Sequence, residues 1–278
     1  MKKKFSFSKF TVRLVLIVNT VFVVLPLLWS VLTSLKTSTE FYDNPWKMPS
    51  GFHIQNYINA IGKANMGDYF INSIFVTILG LILSLTFSIA SAYVLSRYEF
   101  RFRNFIKKVY LIGLFLPPIF GLVPLFMLLK DIGLYDSLIG LSMVYAFTAI
   151  PYTTFILSSY FTSIPKEYEE AAIIDGCSYF GLLLKIMVPI ARPAILTVSI
   201  FNIMAFWNEY MYSLTYISSE AKRTLPIGLI NLMEVQRYST DWGALFAGLV
   251  IVMLPTIIVY AILQKHITSG LTVGGLKG

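Results

Sequence analysis

The chain has little charge, a single cysteine and few histidines. Asp, Glu, Lys and Arg make up only 13% of its 278 residues, about half the share usual in a soluble domain. Cys177 stands alone, so no internal disulfide can form and nothing calls for an oxidising compartment. His53 and His266 are far apart, and no His-Glu-x-x-His or Cys-x-x-Cys spacing exists. The sequence therefore offers no metal site. It also lacks a Gly-x-x-x-x-Gly-Lys-Ser/Thr run, so it cannot cradle nucleotide phosphates as a P-loop does. No residue is assigned a catalytic role, and no cofactor is implied. What is abundant is apolar: 56% of the residues are hydrophobic, and they fall in long runs. The chain is read as an all-α, polytopic membrane protein.

Six runs are long enough to span, at about residues 14–35, 69–95, 109–129, 137–161, 194–217 and 242–263. The first is too long for a signal peptide, and no small-x-small site ends it. On the second, Gly80, Ser84, Ser88 and Ala92 recur every four residues. Such a stripe lets two helices approach closely, within the chain or between subunits. The third run contains Pro117, Pro118 and Pro124. A broken spanning helix must have its freed carbonyls met by protein or water, so this segment is expected to face the bundle interior. Tyr152, Tyr160, Tyr210, Tyr212 and Tyr216 lie near span ends, where an interfacial aromatic belt is the favoured reading over sugar stacking.

Six spans put both termini on one side, and the charges choose it. Lys2, Lys3, Lys4, Lys9 and Arg13 crowd the N-terminal tail, and Arg97, Arg101, Arg103, Lys107 and Lys108 crowd the loop 96–108. The larger share of the 22 Lys and Arg falls on this side. It is read as the cytoplasmic side. Loop 162–193 and the tail 264–278 belong to it, and the loop at 36–68 is exported. The tail is glycine-rich from residue 270 and is expected not to fold alone.

Loop 162–193 is the one long polar, amphipathic stretch. Pro165 suits a helix start, and Glu167, Glu169 and Glu170 suit its first turns. Tyr168, Ala171, Ala172 and Asp175 have the spacing of one helix face. Gly176 can end the helix in a left-handed turn. Ser178 can cap a second helix, which is expected to stop before Pro189.

In this stretch Glu170-Ala171-Ala172 precedes Gly176 by three residues, and Ile186-Met187-Val188-Pro189 follows nine residues later. This resembles the Glu-Ala-Ala loop of the permease subunits of bacterial ABC importers, with Val188 where leucine is usual. Trp207-Asn208-Glu209-Tyr210, Thr224-Leu225-Pro226-Ile227-Gly228-Leu229 and the closing 269–278 resemble motifs of the carbohydrate-importing, MalG-type branch. The resemblance implies a type I ABC importer permease fold, with residues 1–278 as a single transmembrane domain in a bacterial cytoplasmic membrane. It implies that Glu170, Ala171, Ala172, Asp175 and Gly176 couple the chain to an ATPase. Ala171 and Ala172 would give close approach and Gly176 the turn, and Ala172 and Gly176 could equally serve packing within the loop alone. It also implies a second homologous permease, two ATPase subunits and an extracytoplasmic sugar-binding protein as partners, and no nucleic acid. Asn208 and Glu209 are candidates for the translocation pathway, because an intramembrane carboxylate is costly to keep. The other reading of Glu209, which lies toward the outer end of its span, is that it reaches water or pairs with a neighbouring polar group. Two alternatives stand. One is an importer for another solute such as glycerol phosphate or an amino acid. The other is an ion-coupled secondary transporter, for which Glu209 would be the only candidate carboxylate.

Overall fold

Long apolar runs with few internal breakers fold as helices, and the computed structural model follows them closely. It describes residues 7–275 apart from residues 64 and 236–240. Lys2, Lys3, Lys4, Arg237 and Lys277 therefore lie outside the described residues. In chain order the helices are α1 (Phe7–Thr33), α2 (Ser38–Asp43), α3 (Gln55–Lys63), α4 (Met66–Arg97), α5 (Arg103–Phe115), α6 (Leu122–Asp131), α7 (Leu138–Ser163) and α8 (Glu167–Ile174). Then come α9 (Tyr179–Gly181), a π-helical stretch (Leu182–Met187), α10 (Val188–Ile190), α11 (Arg192–Trp207), α12 (Met211–Tyr216), α13 (Leu225–Val235) and α14 (Trp242–Gly275). There is no strand among the described residues. Four helices are long and apolar enough to cross a membrane, and two bent pairs bring the number to as many as six.

The contacts divide the chain into two compact units. The first holds residues 1–67 and 228–254. Here α2 opens with a capping box. Thr37 accepts from the Glu40 N–H at 3.2 Å, and the Thr37 N–H donates to Glu40 Oε2 at 2.8 Å. Two orphan N–H groups are met at once. Glu40 also accepts from the Ser50 N–H at 3.0 Å and lies 3.5 Å from His53 Nε2. The hydrogen bonds from Ser50 and Thr37 pull its carboxyl down to about 2. A depressed carboxylate contributes stability that is present above its ordinary value of 4.5 and is lost as pH falls through about 2. Amide exchange across α2 is therefore expected to accelerate as pH is lowered through that window. In Glu40→Gln it should already be fast at neutral pH and lose this dependence. Close by, Trp29 packs edge-on to Phe246 at 5.2 Å, and Phe41 stacks on Trp242 at 4.7 Å.

The second unit holds residues 68–227 and 255–278. The small-residue stripe is used inside the chain. Ser84, Ser88 and Ala92 are fully buried, and a Cβ at Gly80 would meet Phe206, Tyr145 and the Ser142 carbonyl, each at 3.4 Å. The third span breaks as its prolines require, with α5 and the stretch leading into α6 at 105°. The break lies at Pro117-Pro118. Leu116 is extended, as a residue before proline prefers, whereas Pro124 falls in the first turn of α6, where a missing N–H costs nothing. The expectation that this segment faces the interior is corrected. Phe115, Leu116, Ile119 and Phe120 are all exposed on this chain. The chain continues from the break as a 3₁₀ turn, Pro118–Gly121, in which the Phe120 N–H donates to the Pro117 carbonyl at 3.1 Å. Near the far end, Asp136 gathers the 217–222 loop. Its carboxylate accepts from the N–H groups of Ser218 and Ser219 at 3.0 and 2.9 Å, from the Ser219 hydroxyl, and from Lys222 at 3.1 Å. Burial alone would raise its pKa, but these hydrogen bonds hold it well below the usual carboxylate range.

Three further expectations change. Run 194–217 is not one helix, because α11 ends at Trp207 and α12 begins at Met211. Tyr212 and Tyr216 are not belt residues. They are buried in a core with Val76, Leu141, Val144, Tyr145 and Phe206, and their rings stack at 5.9 Å. The tail does not end its helix near residue 263, since α14 continues to Gly275. The last proline is Pro255, so no later residue removes a backbone donor.

Candidate functional site

The loop after α7 is built as a docked hairpin. α8 carries Glu167, Glu169 and Glu170 in its first turn, at the positive end of its dipole. It closes in a Schellman motif. The Cys177 N–H donates to the Ala172 carbonyl at 2.9 Å and the Gly176 N–H to the Ile173 carbonyl at 3.0 Å. Gly176 has φ of +77°, a conformation that a side chain with a Cβ resists. Ser178 then caps the next helix by accepting from the Gly181 N–H at 3.2 Å. This second helix does not stop before Pro189 as expected. It passes through the π-helical stretch and runs to Ile190, before a 77° bend into α11. The π stretch shifts the ladder to i−5 bonds, with the Val188 N–H donating to the Leu183 carbonyl. Pro189 stands at the first turns of the helix that follows, where its missing N–H is tolerated.

The inner face of this hairpin is seated on the unit's own core. Ala172, Leu182, Met187 and Ala191 are buried with Ala92 and Tyr93 of α4, Leu157 and Phe161 of α7, and Ala194 and Val198 of α11. The outer face is uncovered. Glu170, Ala171 and Asp175 are exposed, and Ile174, Tyr179 and Phe180 are 85%, 74% and 80% exposed. Of the residues expected to face an ATPase, Glu170, Ala171 and Asp175 therefore share the outer side, and Gly176 makes the turn. Ala172 is the exception, for it packs inward at 8% exposure. The expected face of Tyr168, Ala171, Ala172 and Asp175 is split, because only Ala172 enters the buried cluster while Tyr168, Ala171 and Asp175 are exposed.

One contact of this loop gave no sign in the sequence reading. Arg97, in the last turn of α4, places Nε 3.0 Å from Glu169 Oε1, with the two side chains 5% and 15% exposed. Its Nη2 donates to the Ile164 carbonyl at the C-cap of α7, at 2.5 Å. The available signals were the glutamate doublet and an arginine closing a span, and neither specifies a partner.

The pathway candidates part company. Asn208 is exposed and donates to the Met204 carbonyl at 2.8 Å, closing the end of α11. Glu209 turns into the protein at the gap between α11 and α12. Oε1 accepts from the Tyr212 N–H at 2.7 Å, and Oε2 from the Tyr145 hydroxyl at 2.9 Å and the Ser213 N–H at 3.2 Å. Its carboxylate serves the opening of α12, which has no side-chain cap of its own. No group of three or more His, Cys, Asp or Glu placed to hold a metal is found among the described residues.

Comparison with known proteins agrees with this architecture. The chain is 36% identical over 277 residues to the probable ABC transporter permease protein YurM of Bacillus subtilis, covering 100% of this chain and 91% of that protein. It is 36% identical to the diacetylchitobiose uptake system permease protein NgcG of Streptomyces coelicolor, covering 94% and 87%. Its fold matches a chain in the crystal structure of a bacterial ABC transporter involved in the import of the acidic polysaccharide alginate. The TM-score there is 0.83 at 23% identity, with 95% of this chain and 99% of that one covered. The model of the binding-protein-dependent transport system inner membrane component matches residues 84–273. The docked hairpin, the bent spans and these likenesses converge, and the chain belongs to the family of binding-protein-dependent transport system inner membrane components.

Proposed function

We propose that the 278 residues act as one permease domain, one of two homologous subunits that carry a sugar or oligosaccharide across the cytoplasmic membrane. ATP would be hydrolysed by two partner subunits, one of them docked on α8 and α9 of this chain. An extracytoplasmic binding protein would deliver the solute, and both termini would be cytoplasmic. The observation that carries the reading is the two-sided hairpin. Its inner face is locked into the core, while Glu170, Ala171, Ile174, Tyr179 and Phe180 project from a rigid, glycine-ended turn. A rigid knob with an uncovered apolar and acidic face suits a socket on another protein. The basic residues in loop 96–108 support its cytoplasmic side. The named solutes of NgcG and of the alginate importer support a carbohydrate cargo.

Membrane vesicles loaded with ATP test this with labelled diacetylchitobiose and maltose, against glycerol 3-phosphate and glutamine. Vanadate-sensitive uptake of a carbohydrate is expected. Uptake of only the phosphate ester or the amino acid would move the cargo to another class. Uptake abolished by a protonophore and indifferent to vanadate would replace the ATPase with an ion gradient. For the orientation, a Ser163→Cys variant on a Cys177→Ser background should resist an impermeant thiol reagent in intact cells, and Ser50→Cys should react.

A further inference from the structure

We propose that Arg97 is a positioning residue that makes α8, α4 and α7 one rigid joint, and that the adjacent glutamates of α8 have separate tasks. This rests on the docking reading above. The Glu170 side chain is exposed and takes no part in the hydrogen bonds or ion pairs found among the described residues, its backbone N–H donating to the Lys166 carbonyl as in any helix. Glu169, one residue earlier, turns about 100° around the helix and meets Arg97 in an ion pair shielded from water. The same guanidinium holds the Ile164 carbonyl, which is the last backbone acceptor before the loop begins. One side chain thus links the end of α4, the C-cap of α7 and the first turn of α8. Guanidinium suits this because it stays charged beside the carboxylate, an ion pair by proximity and not an aligned hydrogen bond, while its Nη2 donates to the carbonyl. Ile164, Pro165 and Lys166 are otherwise the only covalent link between α7 and α8. Without Arg97, α8 would be tied to its neighbours only through its C-terminal half, where Ala172 packs with Leu182 and Met187 of the π-helical stretch, and its first turn would be free. A push on the exposed face would then be absorbed by a pivot at Pro165. With Arg97 in place, the push moves the ends of α4 and α7. In the outer face the pair contributes no contact, so its loss should spare docking.

The test uses the importer purified through a tag on this chain, with spin labels at Glu167→Cys on α8 and Val94→Cys on α4, on a Cys177→Ser background. The distance distribution is recorded without nucleotide and after trapping with ADP and vanadate. The parental pair should give one narrow distribution that is the same in both states. Arg97→Gln should broaden it or make it differ between states. It should retain the co-purifying ATPase subunits and lower vesicle uptake per ATP hydrolysed by about tenfold. The exchange Arg97→Glu with Glu169→Arg rebuilds the ion pair but not the bond to the Ile164 carbonyl, so it should recover both readings in part, which a generic loss of stability would not do. Glu169→Gln serves as the second probe where Arg97→Gln yields too little protein. A parental distribution that shifts between states, or an Arg97→Gln distribution and coupling ratio equal to the parental ones, overturns the joint. Absence of ATPase subunits from the parental preparation overturns the docking reading instead, and the label distances are still measured on the chain that remains.

Discussion

Ala172→Asp is expected to deplete folded protein, whereas Ala171→Asp is expected to leave a folded protein that loses its ATPase. The two alanines are neighbours in the motif but face opposite ways. Ala172 is 8% exposed among Leu157, Phe161 and Leu182, and Ala171 is open to solvent. A carboxylate at 172 would be desolvated with no cation turned toward it, because Arg97 already serves Glu169. The cost is on the order of 3 kcal/mol or more, a large part of a protein's total stability. At 171 the new carboxylate stays hydrated in the free chain, and the penalty appears only when a partner covers it. Thermal unfolding of each variant in detergent, and the ATPase fraction recovered with it, separate the cases. Equal stability of the two variants would mean that α8 is not seated as described. Full ATPase recovery with Ala171→Asp would mean that the outer face is not the docking face. Gly176→Val should resemble Ala172→Asp, because valine at φ of +77° is strained and would undo the turn that sets both faces.

Glu209→Ala is expected to destabilise the chain by about 3–5 kcal/mol, and to do so whether or not solute is present. The carboxylate accepts from Tyr145, Tyr212 and Ser213, so its removal strands three donors in a largely apolar surrounding. Glu209→Gln keeps one acceptor oxygen and should cost less, about 1–2 kcal/mol. Tyr145→Phe removes a single donor together with its bond and should be milder still. The measurement is thermal unfolding of the purified chain, set beside the solute concentration that half-saturates uptake. A structural carboxylate lowers the unfolding temperature and the amount of protein, but leaves half-saturation alone for whatever protein survives. A changed half-saturation at unaltered stability would return Glu209 to the translocation pathway.

Hydropathy and spacing determined much of this by themselves. Apolar runs of sufficient length forecast the helices, because a spanning segment must satisfy its own backbone. Pro117-Pro118 forecast a broken third span for the same reason. Gly176, Ser178 and the glutamates forecast a helix, a left-handed turn and a capped second helix. Those effects are local, acting within a turn of the residues that cause them. The tertiary structure alone decided direction. Which of Ala171 and Ala172 faces inward depends on where α4 and α7 stand, and helical spacing carries no such information. Glu169 and Glu170 are chemically alike, and only the placement of Arg97 at the end of another helix separates them. Glu209 looked like an intramembrane charge because a hydropathy window reads residues 194–217 as continuous. The backbone gap between α11 and α12, with Tyr145 beside it, turns that charge into a cap, because unmet N–H groups at a helix start attract an anion wherever the fold leaves one within reach.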